Sequence, residues 1–137
     1  MTEDKGYHVK RVDEIPLIPP ETPDDPEWRP VQHHLRLSAF GANVYLAREP
    51  GVVLVGRHDE SKSGQEELYF VVSGRVRFVL DGEEFDAREG TVVTAQPHVV
   101  REGVAMEARS AVFAVGAAPS GFESSWDSRW FDDVAQD

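Results

Sequence analysis

Short apolar runs, separated by glycine, proline and charged residues, fill the chain from Asn43 to Gly116. They are rich in Val, Phe and Tyr, which favours β-strands, and they lack the period of an amphipathic helix. The predicted strands are NVYLAR, VVLVGRH, ELYFVVS, RVRFVL, EEFDA, TVVTA and MEARSAVFAVG. About six to eight short strands with short turns predict an all-β fold, either a sandwich or a barrel.

The clearest local feature is the segment RVRFVL-DG-EEFDA. Asp81 and Gly82 both tolerate the positive φ angles of a tight type I′ turn, so the segment predicts a β-hairpin. In its first strand Val76, Phe78 and Leu80 alternate with the remaining positions. This strand therefore has one apolar face and one mixed face.

The first thirty residues have a different composition. Six of the nine prolines lie in residues 16–30, and proline removes backbone donors and disfavours helix, so an extended arm is predicted. Apolar residues such as Ile15 and Trp28 would anchor this arm to a body. For the segment VQHHLRLSAFG that follows, a short helical turn and a strand both stay open. The predicted organisation is a Pro-rich arm (1–30), a barrel (31–120) and an acidic, Trp-containing tail (121–137).

The formal net charge of −11 argues against nucleic acid or an anionic membrane as a partner, since both are bound through basic surfaces. The excess of acids lies at the two ends of the chain. There is no cysteine, which excludes disulfides, thiol catalysis and thiolate metal sites. Neither a signal peptide nor a membrane span is predicted, and a cytoplasmic protein is expected.

Residues 56–105 resemble the two motifs of the cupin superfamily. The first family motif ends with a Glu, six residues and a Gly, and Glu67 stands in that relation to Gly74. Gly90 stands where the second motif opens. The resemblance covers roughly residues 40–117. It implies a single-domain, RmlC-like cupin β-barrel, that is, a double-stranded β-helix or jelly roll, preceded by the extended Pro-rich N-terminal arm.

The metal-binding positions of the family are poorly matched. Its first two histidines would fall near positions 60–63, which hold Glu-Ser-Lys-Ser, and His58 lies further upstream. Its last histidine is replaced by Arg101 or, with a one-residue insertion, by Glu102. The resemblance therefore implies a degenerate metal site, and no cofactor is expected. If a divalent metal binds, the expected ligands are His58, Glu60 and Glu67.

Glu67 is expected to be an inward carboxylate that binds a cation, acts as a base or pairs with Arg101. His58 is interpreted either as an acid–base residue or displaced metal ligand, or as a surface loop residue. Because a guanidinium repels cations and donates five hydrogen bonds, Arg101 is expected to share a cavity with Glu67 and to favour an anionic or hydrogen-bonding ligand. The predicted catalytic residues are His58 and Glu67. The predicted ligand-binding residues are Glu67, Arg101, His98, Gln65 and Tyr69.

Two functions stay open at this point. The first is a small-molecule-binding cupin that serves as a sensor or as an accessory protein of a metabolic pathway. The second is an enzyme, namely an isomerase, cyclase or lyase, or a weakly metallated dioxygenase, with His58 and Glu67 as acid and base. The fold cannot choose between them, because one scaffold carries many chemistries. A homodimer is expected, since the apolar arm needs a surface to cover.

Overall fold

The computed structural model describes residues 5–119. Within them lie nine strands, one turn of 3₁₀-helix and one single-turn α-helix. The 3₁₀ turn is Val12–Glu14 and the helix α1 is Val31–His34. The strands are β1 Glu27–Arg29, β2 Gly41–Leu46, β3 Val53–His58, β4 Glu66–Ser73, β5 Arg75–Leu80, β6 Glu83–Arg88, β7 Val92–Ala95, β8 Arg101–Ala105 and β9 Ala111–Ala117.

The strands form two antiparallel sheets, one in the order β1-β2-β9-β4-β7 and the other in the order β3-β8-β5-β6. Strand β4 shows the alternation that fills the interior, since Tyr69 and Val71 are buried while Leu68, Phe70 and Val72 are exposed. The predicted all-β fold with little helix is confirmed. The main core is made of Ala47, Val52, Leu54, Val55, Tyr69, Val71, Val76, Phe78, Ala87, Ala105, Val112 and Ala114.

The β5–β6 hairpin has the predicted turn. Asp81 and Gly82 have φ angles of 49° and 85°, so both central residues are in the left-handed region that a type I′ turn requires. The Asp81 carboxylate also accepts a hydrogen bond of 2.8 Å from the backbone N–H of Val100. This bond ties the hairpin to the segment that leads into β8.

The proline-rich segment folds back on itself and lies against the barrel. Backbone hydrogen bonds of 2.8 and 3.1 Å pair Ile18 with Trp28, and β1 then pairs with β2. The carbonyl of Asp24 accepts a hydrogen bond of 2.9 Å from the backbone N–H of Val53. This bond fixes the loop between Ile18 and Trp28 to β3. Ile15 is buried in a second apolar cluster. Its other buried members are Val31, Ala42 and Val44.

Three features differ from the sequence expectations or complete them. The undecided segment after Pro30 forms the helical turn α1. The last predicted strand begins only at Ala111, and strands β1 and β8 were not among those predicted. Strand β8 contains only one β-branched residue, Val104. Its Gly103 lies under the ring of Phe78, and a Cβ placed on Gly103 would come within 3.1 Å of that ring. The predicted tail at 121–137 lies outside the described residues.

None of the helices in the described part of the chain is long and apolar enough to cross a membrane.

Candidate ligand-binding site

A cavity of about 530 Å³, here called the barrel cavity, opens between the folded-back arm and the strands β2, β3, β4 and β9. Its wall includes aromatic, aliphatic and acidic side chains, and part of it comes from the arm. The lining residues are Ile18, Pro19, Glu21, Asp25, Pro26, Trp28, Tyr45, Val53, Leu54, Val55, Gly56, His58, Glu60, Glu67, Tyr69 and Ala114.

Three of the predicted site residues meet in this cavity. His58 ends β3, and Glu67 lies on β4 in the opposite sheet, where the alternation of the strand turns its side chain inward. Nε2 of His58 lies 3.1 Å from Oε1 of Glu60 and 3.4 Å from Oε1 of Glu67. All three side chains are partly shielded from solvent. One imidazole and two carboxylates therefore converge, with their donor atoms all within 4.8 Å of one another.

The backbone sets the tautomer of His58. Its Nδ1 lies 2.5 Å from the carbonyl oxygen of Gly56, which can only accept, so Nδ1 carries the hydrogen. In a neutral imidazole the Nε2 lone pair then faces two carboxylate oxygens, an arrangement that needs a proton or a cation between them. A neutral imidazole and two carboxylates are suitable ligands for a divalent ion, so these residues fit one.

Tyr69 and Tyr45 complete the inner wall. The hydroxyl of Tyr69 donates a hydrogen bond of 2.7 Å to Oε1 of Glu67. Burial raises the pKa of Tyr69, and its hydrogen bond to Glu67 raises it further. Burial also raises the pKa of Tyr45, against the opposing effect of a hydrogen bond from Asn43. Both phenols are therefore neutral donors at physiological pH.

Replacing Tyr69 with phenylalanine is expected to reduce the loss of stability at alkaline pH. Because the folded pKa of Tyr69 is raised above the unfolded value of about 10, the unfolded chain releases this proton first as the pH rises. The stability due to neutral Tyr69 is thus complete below about pH 10 and is lost above it. Urea midpoints at about pH 8 and about pH 10.5 measure this loss. The exposed Tyr7→Phe is the control, and equal alkaline losses in both variants would contradict the prediction.

Arg101 is fully buried at the start of β8, beside its cross-strand partner His58. Its Nε lies 3.6 Å from Oε1 of Glu67, which makes an ion pair across the interior. The remaining nitrogens donate to the backbone, with Nη1 2.9 Å from the carbonyl of Val99 and Nη2 3.3 Å from the carbonyls of Ala95 and Gln96.

The expected preference for an anionic ligand depended on spare Arg101 donors in the cavity of Glu67. Arg101 does not line the barrel cavity, because its donors hold the turn before β8 instead. It borders a separate cavity of about 410 Å³ with Arg57 and Glu102. Its pairing with Glu67 is present, whereas its predicted role in ligand binding stays a prediction.

The other predicted binding residues lie elsewhere. His98 is exposed in the turn between β7 and β8, and it lines none of the described cavities. Gln65 precedes β4, and its Oε1 would lie 2.9 Å from a Cβ placed on Gly116. The same Cβ would lie 3.2 Å from Cγ of Glu67, so the glycine leaves room for the Glu67 side chain. Sequence reasoning missed that Gly116 makes room for Glu67, although a glycine inside a strand is a signal of close approach.

The sequence also gave no role at the site to the arm. Glu21 and Asp25 line the barrel cavity, as does Trp28, which was predicted only as an anchor. The ring of Trp28 stacks on that of Tyr45 at a centroid distance of 6.2 Å and an angle of 24°. Since the arm returns to the barrel through non-local backbone pairing, no local pattern places these residues at the cavity.

No protein-family model matches the chain, and no curated protein does. Solved structures do match. A sugar phosphate isomerase of the cupin superfamily from Silicibacter pomeroyi has a TM-score of 0.68 at 21% identity, over 82% of this chain and 76% of that one. A cupin protein from Bacteroides fragilis has a TM-score of 0.65 at 19% identity, over 97% and 99% of the two chains. KdgF from Halomonas sp. has a TM-score of 0.65 at 17% identity, over 86% and 97%.

Two antiparallel sheets with a partly open cavity on their inner side define a small β-barrel domain. The matching structures identify this barrel as the cupin fold. The fold implied by the motifs at residues 56–105 is therefore confirmed.

Proposed function

We propose that this protein is a small-molecule-binding cupin whose ligand occupies the barrel cavity. The observation that carries the proposal is the convergence of His58, Glu60 and Glu67 at one wall of a cavity of about 530 Å³. Small-molecule sites commonly measure about 300–1,000 Å³ and combine apolar walls with a few convergent polar groups. A sensor or an accessory protein of a metabolic pathway needs only to bind its ligand, and such a cavity with convergent polar groups is sufficient for binding.

The polar groups favour a ligand that donates hydrogen bonds. The carboxylates of Glu60 and Glu67 are acceptors, while the apolar wall of Leu54, Val55 and Ala114 excludes water from the body of the ligand. Hydroxyl or ammonium groups meet this requirement, whereas a carboxylate or phosphate would face like charge.

The same site also has the ligands for a divalent cation. His58, Glu60 and Glu67 would hold it, and its charge would polarise an oxygen of the ligand. The guanidinium of Arg101 near Glu67 opposes a second positive charge there, so the protein is expected to bind the cation more weakly than a site made of several histidines.

A ligand screen with one matched pair of variants tests the proposal. Sugars, nucleosides, amines and organic acids are screened against the full chain by ligand-observed NMR, with and without Mn²⁺. Glu67→Gln is expected to weaken a true cavity ligand by about tenfold or more, because it removes a charged acceptor. Glu66→Gln is the control, since Glu66 points outward from the same strand and contacts Gln96.

Two outcomes contradict the proposal. One is that no compound in the screen binds and mass spectrometry finds no co-purifying small molecule. The other is a set of ligands that Glu66→Gln and Glu67→Gln weaken equally, which would place binding outside the barrel cavity.

A second candidate is an enzyme of the isomerase, cyclase or lyase class. The supporting observation is the placement of His58 Nε2 between two carboxylates, since such reactions need an acid and a base within reach of one ligand. One of the similar structures is described as a sugar phosphate isomerase, although the phosphate of such a substrate would find little positive charge in this cavity. Turnover of a ligand identified in the screen distinguishes this candidate from pure binding.

We also propose that the protein is a homodimer. The outer face of β4 and β7 carries four apolar side chains, each with 38% to 54% of its surface exposed to solvent: Leu68, Phe70, Val72 and Val92. The arm and α1 cover the other half of this sheet, with Ile15 and Val31 packed against β2. A second copy would cover the remaining apolar half.

A further inference from the structure

The barrel cavity is lined by acidic groups from two separate parts of the chain. Glu60 and Glu67 belong to the barrel, and Glu21 and Asp25, here called the arm carboxylates, belong to the folded-back arm. Among residues 5–119, no lysine or arginine lines this cavity. The lining therefore presents a negative field to any ligand that enters.

The barrel carboxylates and the arm carboxylates differ in how many hydrogen bonds and ion pairs they form within the protein. Glu67 has Tyr69, His58 and Arg101 as neighbours, and Glu60 accepts a hydrogen bond of 2.5 Å from the hydroxyl of Ser63. Asp25 accepts a single bond of 3.0 Å from the backbone N–H of Thr22. In the part of the chain that the structure describes, no ion pair joins either arm carboxylate to a basic side chain. No basic side chain among residues 5–119 therefore neutralises the arm carboxylates in an ion pair.

Aromatic rings accompany this charge. Trp28 and Tyr45 stack at 6.2 Å and both line the cavity. The faces of such rings attract cations, and tryptophan does so most strongly. Apolar rings and carboxylates together form the surroundings in which proteins bind organic ammonium groups, since the rings cover the carbon atoms and the acids neutralise the nitrogen.

The backbone of the arm is fixed to the barrel on both sides of these groups. Ile18 and Trp28 pair through two backbone hydrogen bonds, and the carbonyl of Asp24 binds the N–H of Val53. The arm carboxylates lie in the loop between these attachments. The backbone that carries these groups is therefore in place before a ligand binds, which lowers the entropic cost of binding.

We propose that the arm side of the barrel cavity is a subsite for a protonated organic amine, with Glu21 and Asp25 neutralising its charge and Trp28 and Tyr45 flanking its carbon body. This inference rests on the proposed function, a ligand in the barrel cavity, and adds the charge class of that ligand. The arm is then the element that determines specificity, and the barrel supplies the inner wall.

Three probes of one shape and different charge test the inference. Benzylamine, benzyl alcohol and benzoate are each titrated into the full chain in the presence of EDTA, and binding is followed by backbone amide shifts. Benzylamine is expected to bind at least about tenfold more tightly than benzyl alcohol, and benzoate is expected to bind most weakly.

The double variant Glu21→Gln with Asp25→Asn is expected to reduce the advantage of benzylamine over benzyl alcohol to about threefold or less. Its fold should be kept, because Glu21 is exposed and the asparagine oxygen still accepts the hydrogen bond from Thr22. The control is Glu83→Gln with Glu84→Gln, which makes the same change in net charge at exposed positions of β6. It should leave the advantage unchanged.

Equal affinities for the three probes, with shifts at the barrel cavity, would overturn the inference and leave the proposed function standing. A preference for benzylamine that the Glu83 and Glu84 control also removes would overturn it as well, because the preference would then reflect overall charge. A lack of binding by all three probes would overturn the amine subsite, whereas the proposed function is judged separately by the Glu67→Gln screen.

Discussion

Arg101→Met is expected to lower the free energy of unfolding by about 3–5 kcal/mol, the range found when one partner of a buried ion pair is removed. Methionine roughly fills the volume of the aliphatic part of the side chain, so the loss comes mainly from polar groups. The carbonyls of Val99, Ala95 and Gln96 lose their donor, and Glu67 loses its buried counter-charge. Urea unfolding at neutral pH measures the change.

The matched control is Arg77→Met, because Arg77 is exposed on the neighbouring strand β5. It is expected to change the unfolding free energy by about 0.5 kcal/mol or less. If Arg101→Met cost no more than this control, the buried guanidinium would not hold the turn before β8. The variant should also bind Mn²⁺ more tightly than the unmodified protein, since the cation near Glu67 is gone.

Gly74→Ala is the second large effect, with an expected loss of about 3 kcal/mol or more in the free energy of unfolding. Gly74 joins β4 to β5 with a φ of 74°, which is costly for any residue with a side chain. A Cβ there would also lie 2.6 Å from Cα and 2.9 Å from Cβ of Ser110. Ser110 is fully buried, and its hydroxyl binds the backbone of Arg75 and Glu107, so it cannot move aside easily.

Gly82→Ala separates the cost of the positive φ angle from the cost of the contact with Ser110. Gly82 has a φ of 85°, similar to that of Gly74, but no atom lies within 4 Å of a Cβ placed on it. It should therefore lose only the conformational part, about 1 kcal/mol. Equal losses in the two variants, measured by urea unfolding, would show that the contact with Ser110 adds nothing.

Local patterns in the sequence determined the strands that have a clear alternation. In the β5–β6 hairpin, the Asp81-Gly82 dipeptide specified the turn, because few residues tolerate two successive positive φ angles. The resemblance of the Glu67-to-Gly74 segment to the first cupin motif identified the carboxylate that the structure turns into the barrel. Strand β8 was not predicted, because its sequence REGVA has a single β-branched residue. Its position is fixed by pairing with β3 and β5.

Only the tertiary structure decided what surrounds Glu67. Sequence reasoning named Arg101 as its partner but could not tell that the two terminal nitrogens of the guanidinium would donate to backbone carbonyls. It gave Glu21 and Asp25 no role, although they line the same cavity from about forty residues upstream. A short-range pattern fixes which face of a strand a side chain takes. The distances between side chains on different strands, and the return of the arm over the cavity, depend on non-local pairing and burial that no local pattern encodes.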